Sequence, residues 1–436
     1  MLKYFGINPL ILKKIAIKIQ QSFNTSLIGY VTGHNYLTKS QINDVKLKVG
    51  VQTNDYSHAF ENKFARVVGS GEAVSFASGR MGFFVLMDIL GVGYGDEVIL
   101  CGFTCSVMPN AVLRVGATPI YSDIDPITYG SSKQSIEACI STKTKMVVAQ
   151  HSFGIPCEIE SISKLCKLKN IPLIEDCALA LGSKLKGKQV GTFGTAAIVS
   201  TDHSKPINTI IGGLVYSENM DLIEKVKVVQ ARCDFLPLEI QRAVWRQFKV
   251  ETYLARPKVY GMMQLYNSIS AKVIKKFRLV YPYLNEDTGN NVENKNYSYP
   301  AKLPEFLALI GIYELERWEY ASAKRLELLE YYKANLNNTA LQNYLHEVYF
   351  DNNRFIIPLR FIFSCPMGKQ LRSNLKNIVT VEDTWFLEPI INYTGCLSDF
   401  LYKEGMCINS EKVGPTMVNL PLVSFKVAKK IIDKIL

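Results

Sequence analysis

Apolar and polar positions change rhythm repeatedly after residue 55. A helical pattern runs from Tyr56 to Val68 and stops at Gly69-Ser70-Gly71, where glycine suits the end of a helix. Glu72–Ala77 reads as a short strand, and Met81–Leu90 as an apolar helix behind the turn Ser78-Gly79-Arg80. The alternation continues with a strand at Glu97–Leu100, a helix around Asn110–Arg114 and a strand at Thr118–Tyr121. Next come a helix at Ser131–Ile140, a strand at Met146–Gln150 and a helix at Ile159–Lys167. Two further apolar runs follow, one ending at Asp176 and one at Ser200. The second opens a polar loop that carries Lys205 and turns on Gly212-Gly213 into Leu214–Tyr216. Strands and helices in this alternation predict an α/β fold with a mostly parallel sheet covered on both faces.

Both flanks read differently. Leu12, Ile15 and Ile19 repeat at helical spacing after Pro9, with Lys13, Lys14 and Lys18 on other faces. This predicts a basic amphipathic helix that packs on its own domain or a partner subunit, or lies on a membrane surface. Beyond Gly213 the pattern gives helices at Leu222–Arg232 and Leu238–Phe248, then a polar loop at Asn285–Asn296. Glu305–Leu336 reads as one long helix with an apolar stripe and alternating charges at Glu314, Glu316, Arg317, Lys324 and Arg325. Strand-like runs at Phe355–Pro358 and Met417–Pro421 complete a small α+β region. The expected organisation is an extension over 1–50, a large domain over 51–300, and a smaller domain with its linking helix over 301–436.

A chain of 436 residues with 48% hydrophobic content can bury a large core, which excludes a disordered protein. The formal charge of +11 suits phosphorylated small molecules or an anionic membrane face. No cluster of Arg and Lys interleaves with stacking aromatics, so nucleic acid is not an expected partner. Ten cysteines are dispersed without Cys-x-x-Cys or Cys/His ligand spacing, pointing to reduced thiols in a cytoplasmic protein and to no metal site. No signal peptide and no apolar run of about 18 residues is present, so no integral membrane segment is expected.

Two residues carry the chemistry. Asp176 ends an apolar strand, and Lys205 lies in the loop after the next one, both at positions where a parallel sheet delivers side chains to its carboxyl edge. A lysine able to form a Schiff base and an aspartate able to hold a pyridinium nitrogen are the fixed demands of pyridoxal phosphate chemistry. Ser78-Gly79-Arg80, between a strand and a helix start, is a candidate phosphate cradle.

The stretch from Tyr56 to Gly213 resembles the DegT/StrS-type sugar aminotransferases, a branch of the fold type I pyridoxal phosphate enzymes. The matching segments stand in order: Ser78-Gly79-Arg80, Gly95-Asp96-Glu97-Val98-Ile99, Gly116-Ala117-Thr118-Pro119 with Asp123-Ile124-Asp125, and His151-Ser152-Phe153-Gly154. Ile174-Glu175-Asp176-Cys177-Ala178, the run Gly187–Gly194, and Ser200 with Lys205 before Gly212-Gly213 complete the set. The helix from Leu303 through Arg325 is also similar to the family's second half. The resemblance implies a seven-stranded large domain, a smaller C-terminal domain and a homodimer with active sites at its interface. It implies that Lys205 binds pyridoxal 5′-phosphate and shuttles the substrate proton, and that Asp176 keeps the ring nitrogen protonated. Ser78, Ser200 and the backbone of Gly79 and Arg80 would hold the phosphate.

Three positions depart from the family's pattern. Leu179 stands where the family usually has Gln or His for the ring hydroxyl. Cys105 follows Thr104 where an aromatic usually covers the ring, leaving Phe103 as the adjacent aromatic candidate. Tyr299-Pro300-Ala301-Lys302 replaces a Gly-x-Asn-x-Arg segment. His203 lies two residues off the position at which the related dehydratases carry histidine in place of lysine. The implied function is amino transfer, expected from L-glutamate, to a keto-sugar linked to a nucleotide, in surface polysaccharide or amino-sugar biosynthesis. The alternatives are a pyridoxal- or pyridoxamine-dependent sugar dehydratase, or a non-catalytic binding protein on the same scaffold.

Overall fold

The computed structural model describes residues 27–277, 284, 297–380, 385–393 and 395–436. Helices α1 (Lys39–Leu47) and α2 (Asp55–Val68) lead into strand β1 (Glu72–Phe76) and helix α3 (Gly79–Ile89). Then follow β2 (Glu97–Cys101), α4 (Val107–Arg114), β3 (Thr118–Ser122), α5 (Lys133–Cys139), β4 (Thr144–Gln150) and α6 (Ile159–Leu168). Strands β5 (Leu173–Asp176), β6 (Ala196–Ser200) and β7 (Gly213–Ser217) complete one seven-stranded sheet in the order β1-β7-β6-β5-β4-β2-β3. Strand β7 runs antiparallel to both neighbours, and the other pairings are parallel. The α/β architecture read from the alternation is therefore present, with helix starts displaced by at most three residues. Its inner strands are buried on both faces, which is why they read as unbroken apolar runs.

Helices α7 (Met220–Arg232), α8 (Leu238–Leu254) and α9 (Tyr260–Phe277) follow the sheet. The expected single helix over 305–336 is two helices, α10 (Glu305–Glu316) and α11 (Trp318–Leu336), separated at Arg317. The reason is burial. Helix α10 is covered on nearly every side, from Glu305 through Ile312, and so has no polar face to offer solvent. The alternating charges begin only at its last turn, where the chain leaves the interior, and the Arg317 guanidinium lies 3.7 Å from the centroid of the Tyr36 ring. Gly311 lets α10 approach α2, because a Cβ there would lie 2.5 Å from the Phe60 ring. The buried Glu305 carboxylate accepts the N–H groups of Tyr56 (2.9 Å) and Ser57 (3.2 Å) and the Ser57 hydroxyl (2.6 Å). It thereby satisfies the start of α2, whose own N-cap residue Asn54 makes no side-chain cap.

A second apolar cluster joins α11, strands β8 (Phe361–Ser364) and β9 (Met417–Leu420), and helices α12 (Gly368–Leu375) and α13 (Phe425–Ile435). The expected strand at Phe355–Pro358 is displaced. Arg354 and Phe355 pair with Lys184 and Leu185, and the longer strand begins after Pro358, which lacks the N–H a ladder needs. Phe103, Phe153 and Leu179, which follow β2, β4 and β5, belong to this second cluster. The C-terminal layer thus packs on the loops at the carboxyl edge of the sheet. Leu37, Val45 and α10 belong to the first cluster, so that core reaches across both 51 and 300. The predicted helix around residues 12–19 and the predicted loop at Asn285–Asn296 lie outside the described residues.

Candidate active site

Strands β5, β6 and β1 end together on one edge of the sheet, and β7 begins there. Gln150 of β4 pairs with Asp176, Asp176 with Ile198, Ser200 with Gly213, and Gly213 with Phe76. This register gathers Asp176, Ser200 and the Ser78-Gly79-Arg80 turn around the loop that carries Lys205.

The loop is pinned at its neck. Thr201 N–H donates to Gly212 O (2.9 Å) and Thr209 N–H to Thr201 O (2.8 Å), and the two threonine hydroxyls share a bond at 2.6 Å. Ile210 sits at φ 69°, a costly conformation for a β-branched residue, held by the Asn208 side chain accepting its N–H at 2.8 Å. Outside the neck, His34 Nε2 lies 2.7 Å from Asn208 O, and His203 Nδ1 lies 3.0 Å from Glu251 Oε1 on α8. His203 therefore makes its close contact with α8.

Lys205 is partly exposed, yet its amine is crowded. Its Nζ lies 3.9 Å from the centroid of Trp385. Desolvation pushes its pKa down, opposed by the charges of Asp202, Cys105 and Asp176 and aided by Arg360. Arg360 is buried, with its guanidinium 3.9 Å from the Tyr30 ring and 5.4 Å from Trp385. Asp176 is buried and accepts the Ala178 N–H at 3.0 Å. Burial raises its proton affinity, and the Ala178 N–H, Lys205 and His151 only partly offset this. A buried carboxylate in that condition fits a protonated ring nitrogen, which supplies a cation and a donor at once.

The start of α3 fits a phosphate equally well. Ser78 occupies the N-cap with no side-chain cap bond, and its hydroxyl is buried without a partner. A Cβ on Gly79 would lie 3.2 Å from Val199 O and 3.6 Å from Ser200 Cβ, and one on Gly213 would lie 2.3 Å from Gly79 N. Glycine at both positions brings the helix start against the end of β6, so the free N–H groups of its first turn converge with Ser78 and Ser200. The Arg80 side chain turns elsewhere, 3.4 Å from Leu284 O, leaving its backbone to the cradle.

The remaining sequence candidates fall into place around this edge. Cys105 pairs with Ile391 in a short parallel bridge and acts electrostatically on Lys205. Phe103 is fully buried and stacks on Phe386 at 5.2 Å, so its ring is committed to the second cluster. Leu179 is buried in the same cluster. Trp385, Arg360 and Glu251 were not anticipated. Each is remote in sequence from the strand–helix units, and an aromatic or an arginine in the C-terminal region carries no local signature.

Behind Asp176, the side chains of His151, Glu175 and Cys177 lie within 4.8 Å of one another. Glu175 accepts the N–H groups of Phe193 (2.6 Å), Gly194 (2.7 Å) and Gly191 (2.8 Å), with His151 Nε2 at 3.1 Å. His151 Nδ1 accepts the Cys157 N–H at 3.2 Å, so Nε2 carries the proton toward Glu175. Burial, then the charges of Glu175 and Asp176, hold the Cys177 thiol well above its ordinary pKa. A saturated carboxylate, a donating imidazole and a protonated thiol make a brace for the glycine-rich loop rather than a cation site.

Comparison with known proteins agrees with this geometry. A GDP-perosamine synthase of Escherichia coli O157:H7 is 40% identical over 171 residues, covering 39% of this chain and 47% of that protein. An L-glutamine:2-deoxy-scyllo-inosose aminotransferase of Streptomyces fradiae is 34% identical over 183 residues, covering 42% of this chain and 43% of that protein. The matched stretch thus spans just under half the length of these relatives. A Helicobacter pylori aminotransferase involved in the biosynthesis of pseudoaminic acid has the same fold, with a TM-score of 0.68 at 19% identity over 93% of this chain and 97% of that one. The family model of the DegT/DnrJ/EryC1/StrS aminotransferases matches residues 38–235 and 261–435, and the chain belongs to that family.

Proposed function

We propose that the protein is a pyridoxal 5′-phosphate-dependent aminotransferase that moves an amino group onto a keto-sugar, linked to a nucleotide, in amino-sugar or surface polysaccharide biosynthesis. The observation that carries this reading is the pairing of a desolvated lysine, Lys205, with a buried aspartate, Asp176, beside a helix start built for phosphate. When bound, the cofactor supplies an aldehyde for the amine and an electron-withdrawing ring. The chain supplies the rest. Ser78, Ser200 and the backbone of Gly79 and Arg80 bind the phosphate, and Asp176 holds a proton at the ring nitrogen. Lys205 offers an amine that desolvation makes easier to deprotonate, and later takes up and returns the substrate proton at Nζ. Trp385 screens that nitrogen from water.

The names of the relatives support a sugar or cyclitol acceptor, and the Streptomyces protein names L-glutamine as donor. Donor choice between L-glutamate and L-glutamine is accordingly part of the test. We infer a homodimer working in the cytoplasm. Among the described residues, no helix is long and apolar enough to cross a membrane.

The test is borohydride reduction of the cofactor-loaded protein followed by peptide mass analysis. The label is expected on Lys205, and each amino donor that serves the enzyme should bleach the visible band before reduction. Lys205→Ala should lose the label and turnover, whereas Asp176→Asn should keep the label and lose turnover by about a hundredfold or more. A label on Lys184, Lys186 or Lys188, or a protein that never takes up cofactor, would overturn the reading.

A further inference from the structure

The family match leaves out residues 1–37 and 236–260, and the described part of the first, 27–37, meets the second on one side of the molecule. Leu27 and Val31 pack with Ala255, Tyr260 and Met263, and His34 lies 5.0 Å from the Phe248 ring. Helix α8 falls wholly inside the second stretch and packs on α9.

Each helix leaves one face open. On α8 the inward side is Ile240, Ala243, Val244, Gln247, Phe248 and Glu251. The outward side, repeating at three- and four-residue steps, is Arg242, Arg246, Lys249 and Tyr253, continued by Arg256, with one exposed acid, Glu239, in the first turn of the helix. On α9 the outward residues are Met262, Tyr266, Ile269 and Val273, exposed by 51%, 42%, 53% and 40%. They repeat at the same steps and form an apolar stripe down the helix. From Ile240 to Val273 every exposed charged residue is basic: Arg242, Arg246, Lys249, Arg256, Lys258 and Lys272. The one acid in that span, Glu251, is buried against His203.

We propose that α8 and α9 form a docking face for the surface of an anionic lipid bilayer. A basic face beside a narrow apolar stripe ending in Tyr and Met is the combination that settles into a headgroup layer without crossing it. The charge pattern selects this occupant over a second copy of the chain. A two-fold contact through this face would set the same six cations against one another. Nucleic acid would engage the cations but leave the aliphatic stripe in water. The consequence is a positional one, since the helix that meets the lipid also holds His203 in the loop of Lys205.

The test is sedimentation of the full chain with vesicles of phosphatidylcholine alone and of phosphatidylcholine containing roughly 30% phosphatidylglycerol. Binding is expected only to the anionic vesicles, falling about tenfold or more when salt is raised to roughly 0.5 M. The triple variant Arg242→Glu, Arg246→Glu, Lys249→Glu should bind about a hundredfold more weakly. Met262→Ser with Ile269→Ser should bind about tenfold more weakly at low salt. All of these positions are exposed, so unchanged melting curves are expected and show that a loss is local. Equal affinity for neutral and anionic vesicles, no binding, or unchanged binding by both variants would overturn the proposal. So would a dimer that Ile269→Ser disperses in a chain with no vesicle affinity, which would assign the stripe to a contact between copies.

Discussion

Lys205 works against two opposed influences, and their balance is measurable. Burial against Trp385 disfavours the ammonium form, Asp202, Cys105 and Asp176 favour it, and desolvation prevails. The amine should therefore become reactive at a pH below the ordinary lysine value of about 10.4. The rate at which the cofactor-free protein captures pyridoxal phosphate, trapped by reduction, is expected to rise with pH through that lowered midpoint. Trp385→Ala lets water reach Nζ, weakens the desolvation and should move the midpoint upward. A midpoint unchanged by this substitution would assign the desolvation to the other groups that bury the amine. Lys205 and Asp176 were legible in the sequence because parallel strands end in functional side chains and the glycine pair marks where the loop closes. Trp385 was not legible, since in sequence it is one aromatic beside another, Phe386, and only the packing of the second cluster separates their roles. Phe386 stacks on Phe103 while Trp385 faces the lysine.

Among the elements, α10 shows how a helix can be read correctly as helical and incorrectly as to its extent. Strong helix formers run from Glu314 through Arg317 with no glycine or proline at the junction, so nothing local announces the break. What separates α10 from α11 is tertiary: one is immersed in the first cluster, and the other spans to the second. The immersion of α10 places Glu305 at the start of α2, and its loss has a definite expected effect. Glu305→Ala leaves the N–H groups of Tyr56 and Ser57 without their acceptor inside the core, costing about 3 kcal/mol in urea unfolding. Glu305→Gln keeps one acceptor oxygen and should recover part of that loss. Equal stability of the wild type and the alanine variant would mean that water replaces the carboxylate.

For the whole molecule, the reading of residues 1–50 as a separable extension meets a specific obstacle. Leu37 and Val45 are buried in the first cluster, and His34 touches the Lys205 loop at Asn208. A chain beginning at Leu27 keeps these contacts and is the reference for urea unfolding. One beginning at Val51 should lose several kcal/mol, on the order expected for removing the five buried apolar side chains Leu27, Ile28, Val31, Leu37 and Val45, and should take up cofactor more slowly. Equal midpoints for the two truncations would return this segment to the status of an appendage. The sheet has a consequence for biosynthesis as well. Strand β1 has a single neighbour, β7, and Glu72 meets Ser217 only after the intervening strands and helices have been made. Ser78 and Gly79 leave the ribosome early, yet the wall they close against, Ser200 and Gly213, belongs to the last two strands of the sheet to be made. A nascent chain therefore carries an unpaired β1 through most of the synthesis of its sheet, and the turn at Ser78 and Gly79 gains its opposite wall only when β7 pairs with β1.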